Sequence, residues 1–135
     1  MKPDVLVVEP DLVAFALAEK RLHDGFHLVW AQSYEVARAA LEARPFDAVL
    51  VRAEDEPGLA FISRVTVEHP GLALVAIAPW EVQGDRARAC GAREWVSAPV
   101  NYPRLAALLD FLSIESRQAR EAHGGGAARM VEAPA

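Results

Sequence analysis

Five short apolar runs, each separated from the next by a segment of helical length, constrain this chain more than any other feature. They are Val5-Leu6-Val7-Val8, His27-Leu28-Val29-Trp30, Ala48-Val49-Leu50-Val51, Leu72-Ala73-Leu74-Val75-Ala76-Ile77 and Glu94-Trp95-Val96. The first, third and fourth are almost uninterrupted, the pattern of strands covered on both faces in a parallel sheet. The second and fifth are mixed or shorter, as edge strands are. Between them, apolar residues recur at helical spacing. Asp11 stands as an N-cap ahead of Leu12, Phe15, Leu17, Ala18 and Leu22, with a stop before Gly25. Ser33 stands as an N-cap ahead of Val36, Ala37, Ala40 and Leu41. Val36 fills the third place where a capping box needs Glu or Gln. Leu59, Ile62, Val65 and Thr66 lead to a stop at His69-Pro70-Gly71. A short fourth helix falls within Glu81 to Cys90, with Gly84 weakening its start. A fifth begins at Tyr102-Pro103, since Pro suits a first helical turn. It carries Leu105, Leu108, Leu109 and Leu112, then turns polar through Arg117, Arg120 and Glu121. That polar end reads as a solvated helix end.

A strand–helix unit repeated five times with short connections predicts an α/β fold. It is a doubly wound five-stranded parallel sheet, with helices on both faces and right-handed crossovers. The domain is expected over residues 1–122. Gly124-Gly125-Gly126 is expected to end the last helix, and residues 123–135 to form a flexible Gly/Ala-rich tail.

Composition removes several function classes. A net charge of −5 on 135 residues argues against nucleic acid, whose phosphates require a positive surface. Cys90 is the single cysteine, so neither an internal disulfide nor a cysteine zinc site is available. No apolar run approaches the roughly 20 residues that span a bilayer, and Met1-Lys2-Pro3-Asp4 runs into a strand without a signal-peptide core. The expectation is a cytoplasmic protein without membrane contact. The histidines at 23, 27, 69 and 123 fall at no metal-ligand spacing, and there is no phosphate-binding loop, dinucleotide glycine motif, HExxH or hydrolase serine motif.

In an open parallel sheet, ligands gather at the carboxyl ends of the strands. Those ends hold Glu9-Pro10-Asp11, Arg52-Ala53-Glu54, Ala78-Pro79-Trp80 and Ser97-Ala98-Pro99. With them, over residues 4–118, the chain resembles the CheY-like receiver domain of bacterial response regulators, a flavodoxin-like (βα)5 fold. The opening strand with its acidic turn, the Pro45-Phe46-Asp47 entry to the third strand, Glu56-Pro57-Gly58-Leu59, and Cys90-Gly91-Ala92-Arg93-Glu94-Trp95-Val96-Ser97-Ala98-Pro99 carry the resemblance. It implies phosphoryl transfer from a partner histidine to an aspartate. Two acidic residues hold Mg²⁺ beside the acceptor, and a hydroxyl and a lysine contact the phosphoryl group.

The chain departs from that chemistry at almost every position. Glu9-Pro10 leaves one carboxylate of the acidic pair unless Asp11 replaces the other. Arg52 stands at the acceptor position, Ala78 at the hydroxyl position and Ala98 at the lysine position, while Pro99 is retained. Arginine accepts no phosphoryl group in this chemistry and its fixed charge opposes a cation in the same pocket. Glu54 and Asp55 lie two and three residues beyond, and bringing either to the acceptor position would push the strand out of register.

The expectation is a degenerate, non-phosphorylatable pseudo-receiver. It is not an enzyme, needs no cofactor and binds no Mg²⁺. Arg52 serves as a built-in cation paired with Glu9 or Asp11. Its role is protein–protein contact in two-component-type signalling, with signalling proteins as unidentified partners. Trp80, Trp95, Tyr102 and Arg104 outline a candidate interaction face on the fourth helix, fifth strand and fifth helix, which the resemblance also offers for a homodimer. Cys90 is expected to be a structural thiol facing the core. Two other readings stand beside this one: a response regulator phosphorylated through non-standard carboxylates, and a small-molecule sensor using the volume vacated by Ala78 and Ala98.

Overall fold

The computed structural model describes the backbone of residues 2–132 and the side chains of residues 2–122. Ten elements alternate. They are β1 (Asp4–Val8), α1 (Leu12–Leu22), β2 (His27–Ala31), α2 (Tyr34–Ala43), β3 (Ala48–Arg52), α3 (Glu56–Glu68), β4 (Ala73–Ala78), α4 (Glu81–Cys90), β5 (Glu94–Ser97) and α5 (Tyr102–Glu132). The strands form one parallel sheet in the order β2-β1-β3-β4-β5. This is the doubly wound parallel sheet that the alternation predicted, in the receiver-type flavodoxin-like form that the resemblance implied, with the two mixed strands at the edges. The last helix does not end at Gly124-Gly125-Gly126 as expected: α5 continues through them to Glu132, and the side chains of 123–135 lie outside the described residues.

Strand alternation builds two cores. Leu6, Val8, Val49, Val51, Leu74 and Ala76 face α2, α3 and α4, where Ala37, Leu41, Leu59, Ile62, Val65 and Ala87 meet them. Val5, Val7, Leu50, Val75 and Ile77 point the other way, to Leu22 of α1 and Leu105, Leu109 and Leu112 of α5. The inner strands are therefore apolar on both faces, and polar side chains enter only where a strand ends. Local chemistry sets the helix starts. Asp11 accepts from the Val13 N–H at 3.0 Å, Ser33 from Val36 at 3.2 Å, and Asp55 from Gly58 at 3.0 Å. Asp55 thus begins α3 three residues before the apolar periodicity does, a cap that the Pro57-Gly58 pair obscured in the sequence.

The polar end of α5 is not a solvated helix end. The Asp47 carboxylate, just before β3, is 2% exposed. It accepts from Arg117 Nε at 2.9 Å, Arg117 Nη2 at 3.0 Å, Arg120 Nη2 at 3.0 Å and the Asp4 backbone N–H at 2.8 Å. Arg120 also donates to the Phe46 carbonyl at 2.9 Å. A buried carboxylate is tolerable only with such partners. They lie 70 and 73 residues away, so no local pattern announces them. Burial pushes the Asp47 carboxyl upward. The Arg117 guanidinium, the Asp4 N–H and the Arg120 guanidinium outweigh it and hold the group below the usual carboxylate range.

A carboxyl lowered in the folded state contributes stability in full above its unfolded value of about 4 and loses it as pH falls through the folded value. Asp47→Ala is expected to lower the unfolding free energy at neutral pH by about 2–3 kcal/mol. It is also expected to flatten the loss of stability on acidification. Urea unfolding of both proteins across a pH series from neutral to acid measures the two effects.

Candidate functional site

The carboxyl ends of β1 and β3 are paired neighbours, with Val8 opposite Val51. The residue following β1, Glu9, and the last residue of β3, Arg52, therefore leave the sheet side by side. Glu9 is 5% exposed. Its Oε1 accepts from Arg52 Nη2 at 2.6 Å and from Nε at 3.0 Å. Its Oε2 accepts from the Asp11 backbone N–H at 3.2 Å. The Glu9 backbone is fixed as well: its N–H donates to the Ala31 carbonyl at 3.0 Å, and its carbonyl accepts from Trp30 Nε1 at 2.7 Å. Arg52 spends a third group, Nη1, on Glu54 at 2.9 Å. The bond from Glu9 leads the interactions that outweigh burial and hold Arg52 more firmly in its charged form.

The built-in cation is thus paired with Glu9 and not with Asp11. Asp11 turns its carboxylate away to cap α1, because the free N–H groups of the first helical turn compete for it at close range. Asp55 is likewise engaged as the cap of α3. The residues do not fit the divalent cation that the resemblance implies. Both Glu9 oxygens are occupied, Asp11 points elsewhere, and a guanidinium stands among them. Among the described residues no three His, Cys, Asp or Glu side chains gather as a metal set.

The remaining positions fall around this pair. Ala78 ends β4 fully buried, and its carbonyl accepts from the Ala98 N–H at 3.2 Å. Ala98 and Pro99 are joined by a cis peptide bond, and Pro10 is exposed in the turn after Glu9. A cleft of about 510 Å³ opens between α1 and the β5–α5 connection. Glu9, Arg52, Ala98, Pro99 and Tyr102 are among its lining residues. A smaller recess of about 210 Å³ lies on the other side of Arg52, against Pro10, Tyr34, Glu54 and Asp55. Tyr34 was not apparent as a site residue. Burial, then the charges of Asp55, Glu54 and Glu9, keep its phenol protonated above the ordinary tyrosine range. Trp30 was also missed, although its place at the end of β2 beside β1 was the available signal.

The four residues proposed as an interaction face do not form one patch. Trp80 is 64% exposed and stands at the N-cap of α4 without a side-chain cap bond. Trp95 is partly buried and packs on the α2–α3–α4 core, where α4 lies over its ring. Arg104 is exposed and shares a recess with Trp95, whereas Tyr102 turns to the opposite core and lines the large cleft. Gly84 explains the arrangement. A Cβ there would lie 2.1 Å from Trp95 Cδ2, so the glycine is the condition for α4 to cross the indole. Cys90 is partly buried against the same core.

No protein-family model and no curated protein matches the sequence. Solved structures match the fold, and those it matches are CheY-like response regulator receiver domains. A response regulator receiver domain protein (CheY-like) from Methanospirillum hungatei JF-1 superposes with a TM-score of 0.77 at 17% identity, covering 88% of this chain and 99% of that one. More particular likenesses follow. NtrX from Brucella abortus gives 0.81 at 25% identity over 92% of this chain, which corresponds to 29% of NtrX. HP1043, an orphan response regulator of H. pylori, gives 0.73 at 24% identity, covering 82% of this chain and 96% of that one. Among the described residues no helix is long and apolar enough to cross a membrane.

Two variants probe the geometry. Arg52→Ala leaves the Glu9 carboxylate buried without its cation and is expected to cost about 2–3 kcal/mol. The double variant Glu9→Gln/Arg52→Ala is expected to recover part of that loss, and a double-mutant cycle by urea unfolding measures the coupling. Gly84→Ala is expected to cost about 1–3 kcal/mol through overpacking and to change the near-UV circular dichroism of Trp95.

Proposed function

We propose that this chain is a pseudo-receiver: a receiver-fold module of two-component-type signalling that works by protein–protein contact without aspartyl phosphorylation, Mg²⁺ or catalytic activity. The observation that carries the reading is the Arg52–Glu9 bond. In the chemistry of the resemblance, a metal ion and an anionic phosphoryl group meet at this point. Here one guanidinium supplies the positive charge and one carboxylate the negative, both on the same chain, at 2.6 Å. The two switch-contact positions are alanines, one of them fully buried, so no hydroxyl or ammonium waits for a phosphoryl oxygen. Glu54 and Asp55, the substitute acceptors, are engaged by Arg52 and by the start of α3. Those engagements, one oxygen of each carboxylate, weigh against the reading of a regulator phosphorylated through them.

The protein then holds one conformation in place of two, and its output is set by partner binding or abundance. The partner is a signalling protein, cytoplasmic like the chain itself. Exposed Trp80 and Arg104 are the members of the proposed face that remain available to it or to a second copy.

Incubation with acetyl phosphate and Mg²⁺ is expected to leave the intact mass unchanged, and beryllofluoride with Mg²⁺ to leave the amide spectrum unchanged. A Mg²⁺-dependent phosphoryl adduct on the unmodified protein would sink the reading. Arg52→Asp is expected to remain unlabelled or nearly so, because the hydroxyl and lysine positions are still Ala78 and Ala98.

A further inference from the structure

The cleft between α1 and the β5–α5 connection borders the Arg52–Glu9 bond without being filled by it. Its volume of about 510 Å³ falls within the roughly 300–1,000 Å³ of small-molecule sites. Leu50 and Ile77 of the sheet, Leu17 of α1 and Tyr102 of α5 give it apolar walls, and Ala98 presents only a methyl group where the resemblance has a lysine. Three charged residues line it: Glu9, Arg21 and Arg52. Glu9 is buried and both of its oxygens are taken. Arg52 commits three of its five N–H groups, leaving two. Arg21 is exposed and makes no ion pair or side-chain hydrogen bond among the described residues. Its charge reaches the Tyr102 phenol, where with Arg52 it opposes the upward push of burial. The free charge of this cleft is therefore positive, on a chain whose net charge is −5.

We propose that the cleft binds a small organic anion with an apolar body, of the chemical class of a medium-chain or aromatic monocarboxylic acid. Its carboxylate is held by Arg21 and its body lies along Leu17 and Tyr102. This site goes beyond the pseudo-receiver reading and does not rest on it, because Arg21, and not the Arg52–Glu9 bond, supplies the anchoring charge.

Octanoate is a suitable probe. Titrated into the ¹⁵N-labelled full chain, it is expected to give saturable amide shifts confined to α1, β5 and residues 98–105. Arg21→Glu is expected to weaken binding by about tenfold or more, Arg21→Lys to stay within about threefold of the parent, and octan-1-ol to bind about tenfold more weakly than octanoate. Since Arg21 is exposed and unpartnered, both variants are expected to unfold thermally with the parent. Absence of saturable shifts at millimolar octanoate, shifts centred elsewhere, equal binding of octan-1-ol, or an unchanged affinity in Arg21→Glu would each overturn the proposal.

Discussion

A carboxylate that is 5% exposed at the end of a central strand has to be answered by positive charge or by hydrogen-bond donors. Here it is answered by a guanidinium from the next strand in the sheet. The carboxyl end of the molecule depends on that bond. It fixes Glu9 Oε1, leaves Oε2 for the Asp11 N–H, and so frees the Asp11 side chain to start α1. Through Nη1 it also draws in Glu54 and orders the turn into α3. The same contact thus organises the starts of two helices on opposite faces of the sheet.

The fold was legible because it rests on short-range signals. The uninterrupted apolar runs, the caps at Asp11 and Ser33 and the stop at His69-Pro70-Gly71 report the strand and helix limits locally. The site was legible in part. Arg52 at the end of β3 announces a charge that needs a partner, and the parallel register of β1 with β3 makes Glu9 the adjacent carboxylate. Sequence could not choose between Glu9 and Asp11, because the choice is decided by competition with the N–H groups of α1.

What escaped reading is tertiary. Gly84 looks like a flaw in a short helix until Trp95 is seen beneath it. Arg117 and Arg120 look like solvent-facing residues until Asp47 is placed between them. In each case the residue's role is set by a partner in another element, which helix propensity alone does not register. The surroundings of Trp95 and Tyr102 were hidden for a related reason: positions near each other in sequence around β5 turn to opposite sides of the sheet.

The clasp on Asp47 bears on mechanics. Leu105, Leu109 and Leu112 seat α5 on the sheet, Ser116 accepts from the Ala73 N–H at 2.8 Å, and Arg117 and Arg120 close on the entry to β3. From Leu105 to Arg120 the helix is fastened from the carboxyl edge of the strands to their amino edge. One element thus joins the entry of β3 to the opposite edge of the sheet, so a change at Asp47 bears on the seating of the whole fastened stretch.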